Sequence, residues 1–197
     1  PNSINPETAT AHPFFKTPKF KILYAGNIGD KQNWALFKAL LKLLNPAHYE
    51  IVVVGAGAQA EHIKKLAITW PHLSVFKPIP LANLNSLLCT ANAHFLFQKQ
   101  DIIDTVMPSK ILGMMASARP SIITGNAFSE VRTIIESAQG GYYNTKPDAK
   151  EIASQFETLR RNTNQANTMG LAARKYIVQE FSKTKILNNL KAQLEEF

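Results

Sequence analysis

Two short runs constrain this chain more than any other feature: Ile51–Val54 (IVVV) and Ser121–Thr124 (SIIT). Both are rich in β-branched residues and neither alternates apolar with polar. A strand wetted on one face alternates, so runs like these belong to strands buried on both faces, as in a parallel sheet covered by helices. The surrounding pattern agrees. Phe20–Ala25 (FKILYA), Tyr49–Val54, Leu73–Phe76, Ala93–Phe97 and Ser121–Thr124 read as strands, and a last short one falls near Gly141–Tyr143. Helical spacing fills the intervals at Trp34–Leu44, Gln59–Thr69, Leu81–Ala91, Pro108–Ala118 and Glu130–Ala138. From Pro147 onward the chain reads as consecutive helices. Strands of four to six residues alternating with helices of about ten predict a Rossmann-like, doubly wound α/β domain with a C-terminal helical tail.

The expected organisation has three parts. Residues 1–19 hold Pro1, Pro6, Pro13 and Pro18 without periodicity and read as a linker. Residues 20–163 form the Rossmann-like domain, and 164–197 are helices packing back on it. At 197 residues the chain suits roughly one domain or slightly more. Cys89 is the only cysteine, which excludes an intrachain disulfide and a cysteine metal cage. No apolar stretch reaches the ~20 residues of a membrane span, and residues 1–21 lack the apolar segment of a signal peptide; a cytoplasmic location is expected. The formal charge is +8, but the basic residues are dispersed. A nucleic-acid footprint clusters, so no nucleic-acid partner is expected. A basic surface also suits a phosphorylated small ligand or an anionic membrane.

In a doubly wound sheet the ligand lies beyond the carboxyl ends of the strands, which directs attention to the loops after them. Gly26-Asn27-Ile28-Gly29-Asp30-Lys31 follows the first strand; two glycines admit close backbone approach, and Lys31 adds a positive charge for a phosphate. Gly55-Ala56-Gly57-Ala58-Gln59-Ala60 fits the dinucleotide fingerprint read literally, since Ala is allowed at the third glycine position, but it follows the second strand, and no acid stands about 20 residues on. Lys77 in that region leaves an NADP reading open. Pro108-Ser109-Lys110 marks a helix start where Ser109, backbone N–H groups and Lys110 suit an oxyanion; a lysine there opposes the helix dipole unless an anion is bound. Ser129-Glu130 caps a helix, a role that needs no ligand. The five histidines fall at no metal-ligand spacing, and His94, inside a strand, reads as a satisfied core histidine.

In order and spacing these motifs resemble the C-terminal, donor-binding domain of family 4 retaining glycosyltransferases (glycosyl transferases group 1) with the GT-B fold. They are most similar to bacterial colanic-acid and O-antigen aminosugar transferases. Pro1-Asn2-Ser3-Ile4-Asn5 looks like the interdomain segment, Tyr24 to Gln32 like the first glycine loop with its phosphate lysine, and Val54-Gly55-Ala56-Gly57 like the G-D-G turn. Asp104-Thr105-Val106-Met107-Pro108-Ser109-Lys110 looks like the subgroup's D-x-x-x-P-S-K segment, and Arg119-Pro120 like the G-(K/R)-P pattern. Glu130 falls at the glutamate of a G-G-x-x-E turn. The E-x7-E positions of the broad family fall on Thr105 and Gly113, so no carboxylate stands at either position here. Asp104 is a substitute for the first glutamate, one residue away.

The resemblance implies transfer of a sugar from a nucleoside diphosphate, UDP before GDP, with retention, to a surface-polysaccharide or lipid-linked acceptor. Lys31 and Lys110 would neutralise the leaving diphosphate; Gly26, Asn27, Gly29, Ser109, Asp104 and Glu130 would hold phosphate or donor sugar. Gly55, Gly57, Lys77, Pro78 and Ile79 would line the nucleobase side. It implies no metal and no cofactor. It also implies an acceptor-binding N-terminal domain outside this chain, without which the piece transfers nothing, and membrane contact for the longer protein only. Three alternatives are an NADP-dependent oxidoreductase resting on Gly55–Ala60, a non-catalytic nucleotide-sugar binder, and a GT-B epimerase.

Overall fold

All six residues of Tyr49–Val54 and all four of Ser121–Thr124 are buried, as their unbroken apolar runs require. The computed structural model describes residues 3–102, 109–182, 185 and 187. Six strands form one sheet: β1 (Phe20–Ala25), β2 (Tyr49–Val54), β3 (Leu73–Phe76), β4 (Ala93–Phe97), β5 (Ser121–Thr124) and β6 (Gly141–Asn144). Their order is β3-β2-β1-β4-β5-β6 and every pairing is parallel. The helices are α1 (Trp34–Leu43), α2 (Ala60–Thr69), α3 (Leu84–Thr90), α4 (Lys110–Ala116), α5 (Glu130–Ser137), α6 (Ala149–Arg161) and α7 (Thr163–Glu180). From β1 the chain moves outward through β2 to β3, and from β4 it moves the other way through β5 to β6. Right-handed crossovers therefore place the two sets of helices on opposite faces. The order reverses between β1 and β4, and a crevice opens there at the strands' carboxyl ends.

The periodicity places most element boundaries within a residue. The segment Leu81–Ala91 differs: a 3-10 turn at Leu81–Asn83 precedes α3. Asn83 then stands at the N-cap of α3 without a side-chain cap bond. Helix α4 runs from Lys110 to Ala116, and Pro108 lies outside the described residues.

Residues 3–19 have no strand and only the 3-10 turn Pro6–Thr8, yet they are anchored to the domain. Ile4, His12 and Phe15 are buried. Asn5 N donates to Asn85 Oδ1 at 2.8 Å, and His12 N to Thr90 Oγ1 at 2.9 Å, both on α3. The buried Glu50 carboxylate accepts from Lys16 N, Thr17 N and Thr17 Oγ1. Arg174 on α7 donates to the carbonyls of Ile4 and Ala116, tying this strap to the end of α4. Buried polar groups must find partners, and aperiodic chain supplies them here without any regular element for a pattern to reveal.

The core is aromatic around β1 and β4. Tyr24, Trp34, Phe37, Phe95 and Phe97 meet with centroid separations of 4.8–6.5 Å. His94 is 1% exposed and its Nε2 lies 2.8 Å from Ser117 Oγ, the satisfied core histidine expected of it. Burial, with a smaller contribution from Arg119, pushes its pKa down from 6.5 to about 3. Between those values the unfolded ring takes a proton that the folded ring refuses, so stability falls as pH drops through this window. At pH 4.5, two units below the unfolded value, the loss is about 3 kcal/mol at ~1.4 kcal/mol per unit. Thermal melts from pH 7 to 4.5 should show a steeper decline for the parent than for His94→Gln, which is not protonated; equal slopes would dismiss His94 as the acid-sensitive group.

Candidate functional site

A cleft of about 460 Å³ opens at the strand-order reversal. The ends of β1 and β2 form its floor through Ala25, Gly26, Asn27, Val54, Gly55 and Ala56. Pro78 and Ile79 close one side; Leu84, Leu87 and Leu88 of α3 and Gly113 and Met114 of α4 make an apolar wall. Ser109 and Lys110 stand at the remaining side. The polar side chains described in the lining are Asn27, Ser109 and Lys110, so polarity is confined to the glycine turn and the start of α4.

The floor is two βα turns locked together. Gly26 N donates to Val54 O at 2.9 Å, Ile28 N to Ala56 O at 2.8 Å, and Gln59 N to Ile28 O at 2.9 Å. A Cβ on Gly55 would sit 1.9 Å from Gly26 O, so only glycine lets these turns touch. Gly26 itself has φ +153, a conformation side chains rarely adopt. A Cβ there would meet Lys110 Cδ at 2.8 Å and Nζ at 3.0 Å. The lysine therefore lies flat across the turn, with its ammonium 5.3 Å from the Tyr24 ring centroid. Tyr24 Oη donates to Asn27 O at 2.6 Å, and burial raises the phenol pKa.

The structure thus brings Gly26, Asn27, Gly55, Pro78, Ile79, Ser109 and Lys110 to one cleft. Gly57 supports it from behind, with a Cβ there meeting Ile28 O at 2.4 Å. Gly29 is buried; its N–H donates to Gln32 Oε1, and its carbonyl accepts from Trp34 Nε1 at 2.8 Å. Its backbone thus holds the loop closed and does not line the cleft. Lys31 and Lys77 are exposed and outside the lining. Glu130 is exposed at the first position of α5, where Ser129 Oγ accepts from Val131 N as the cap. Asp104 and Thr105 lie outside the described residues, as does Pro108. Gly113, the second glutamate position of the resemblance, lines the cleft with its Cα face toward Leu88.

The Gly55–Ala60 loop does not work as a dinucleotide fingerprint would. It follows β2, not β1, and the N–H of Gln59 is spent on Ile28 O. Its glycines serve contact between loops.

The sequence reading missed Tyr24 as a support and the α3 leucines as a wall. Leu84, Leu87 and Leu88 carry an i, i+3, i+4 signal, but the same spacing marks ordinary core, and nothing in a pattern distinguishes a wall from a core face. Among the described residues no group of three or more His, Cys, Asp or Glu is placed to hold a metal ion. Nor is any described helix long and apolar enough to cross a membrane.

No protein-family model matches the chain. WcaI of Escherichia coli (strain K12), named as a colanic acid biosynthesis glycosyl transferase, is 29% identical over 133 residues, covering 66% of this chain and 32% of WcaI. The chain thus matches about a third of that relative's length. Among solved structures, TarM of S. aureus in complex with UDP superposes with TM-score 0.72 at 16% identity, covering 93% of this chain and 36% of TarM. The C-terminal domain of a glycosyl transferase group 1 family protein (LpcC) from Francisella tularensis gives 0.64 at 14% identity, covering 83% of this chain and 87% of that domain. These two likenesses are of fold.

Proposed function

We propose that this homologue of the group 1 glycosyltransferases, folded as the C-terminal half of their GT-B architecture, binds a nucleoside diphosphate sugar in the cleft between β1, β2, α3 and α4. The observation that carries the reading is Lys110 laid across Gly26 at the strand-order reversal: a cation held against a backbone turn at a residue that has no side chain of its own. A diphosphate seated there meets a fixed positive charge, and the apolar wall receives the nucleoside. Departure of the diphosphate leaves an oxocarbenium-like centre, and a charge placed in advance at the leaving group lowers that barrier. Neither metal nor cofactor enters this scheme. Lys31, Asp104 and Glu130 remain candidates for the outer phosphate and the donor sugar.

The finer features of the proposal are a UDP-linked donor, retention at the anomeric carbon and a surface-polysaccharide or lipid-linked acceptor. The UDP in the TarM complex supports the first, and the naming of WcaI for colanic acid biosynthesis supports the last. Acceptor binding is assigned to a partner domain, and membrane contact to the longer protein. Gly113 in the cleft wall favours a second reading, a nucleotide-sugar binder without turnover; incubation of the longer protein with donor and acceptor membranes separates the two by sugar transfer or its absence.

Calorimetric titration with UDP, GDP and NADP(H) at low salt tests the binding. UDP or GDP heat without an NADP(H) signal is expected. NADP(H) binding alone would overturn the donor reading.

A further inference from the structure

We propose that Tyr24 is a positioning residue of this site, its ring seating the Lys110 ammonium while its hydroxyl fixes the turn beneath. The inference rests on the donor reading above and adds a residue to it. Lys110 Nζ lies 5.3 Å from the Tyr24 centroid, inside the ~6 Å over which a ring face attracts a cation. The Tyr24 hydroxyl donates to Asn27 O at 2.6 Å, bracing the strand-to-helix turn that carries Gly26. Tyr24 is 2% exposed and gripped edgewise by Trp34 and at a tilt by Phe97, with centroids 5.7 and 5.0 Å away, so the ring is fixed in the core. Burial keeps the phenol protonated and therefore a donor.

The arrangement answers a physical problem. A lysine has a flexible four-carbon stem and loses much rotamer freedom when it grips a ligand. Here the stem is pressed onto Gly26, whose missing side chain leaves room for Cδ and Nζ, and the ammonium rests over a rigid aromatic face. Part of the ordering is complete before a diphosphate arrives, which raises affinity without a new contact to the ligand. Tyr24 lies outside the cleft lining and acts through Lys110 and Asn27.

The test compares UDP with uridine by calorimetry for the parent chain, Tyr24→Leu, Tyr24→Phe, Lys110→Ala and the Tyr24→Leu/Lys110→Ala pair. Tyr24→Leu should lower UDP affinity about threefold to tenfold and uridine affinity less than twofold. Tyr24→Phe, which keeps the ring, should recover most of the UDP affinity. The pair should be less than about twofold weaker than Lys110→Ala alone, because the ring acts through Lys110 and only the hydroxyl's brace on Asn27 O is lost independently. Equal losses for UDP and uridine in Tyr24→Leu, or additive losses in the pair, would make Tyr24 a core residue only and overturn this proposal alone. Unchanged UDP affinity in Lys110→Ala would overturn the donor reading as well. Should Tyr24→Leu fail to fold, Tyr24→Met fills more of the space while offering no ring face, and the same comparisons apply.

Discussion

Gly55→Ala should melt about 6–12 °C below the parent chain and should lose nucleotide binding with it. The added Cβ falls 1.9 Å from Gly26 O, a separation no relaxation of a side chain relieves because the obstacle is backbone. Either the β2 end or the β1 end must move. Both are held: Gly26 N to Val54 O at 2.9 Å and Gly55 N to Phe76 O at 3.0 Å are bonds between neighbouring strand ends. Overpacking typically costs about 1–3 kcal/mol, a clash against backbone falls at the upper end, and ~1 kcal/mol moves the melting point of a chain this size by ~2–4 °C. Because the two turns form the cleft floor, a displacement that relieves the clash also shifts Gly26 from under Lys110. Ala56→Gly, at the exposed neighbouring position, is the control and should change the melting point by less than about 3 °C. Differential scanning calorimetry with and without UDP reads both effects. A Gly55→Ala variant with parent stability and affinity would mean that the turns are not in contact.

The position of this cleft was legible in the sequence, while its walls were not. Unbroken runs such as Ile51–Val54 announce a parallel sheet, and the site rule for such sheets then names the loops at 26–31, 55–58, 77–80, 98–109 and 125–130 without any coordinates. Four of these loops contribute to one cleft, through Gly26, Gly55, Pro78 and Ser109, while none of residues 125–130 lines it. Which atoms within a loop face the ligand was hidden, because that depends on where the backbone N–H groups go. Gly29 and Gly26 look alike in the sequence. Gly29 spends its N–H on Gln32 and its carbonyl on Trp34, while Gly26 bends under a lysine 84 positions away. Likewise the strap at 3–19 reads as linker because its anchoring donors are backbone groups, satisfied by Glu50, Asn85 and Thr90, and backbone groups leave no mark in composition.

Lys110→Ala should cost about tenfold or more in affinity for UDP and less than about twofold for uridine. The difference between the two ligands isolates the diphosphate, since the nucleoside meets the apolar wall in either case. A hydrogen bond to a charged group is worth about 1.5–3 kcal/mol, and tenfold corresponds to ~1.4 kcal/mol. Lys110 is the cation described in the cleft lining, whereas Lys31 and Lys77 stand outside it. Lys31→Ala should therefore weaken UDP less than Lys110→Ala does, and its effect should fade faster with salt, as expected for an exposed charge acting at a distance. Alanine is the best helix former, and Lys110 is the first residue of α4, so the substitution leaves the helix intact. Circular dichroism melts of the variant serve as the check on folding. Titration at 20 and 200 mM salt decides the assignment. If Lys110→Ala weakens UDP and uridine by the same factor, Lys110 braces the Gly26 turn and the phosphate must be held elsewhere. If Lys31→Ala proves the more damaging, the diphosphate lies over the first glycine loop's outer end, and the cleft is occupied by the nucleoside alone.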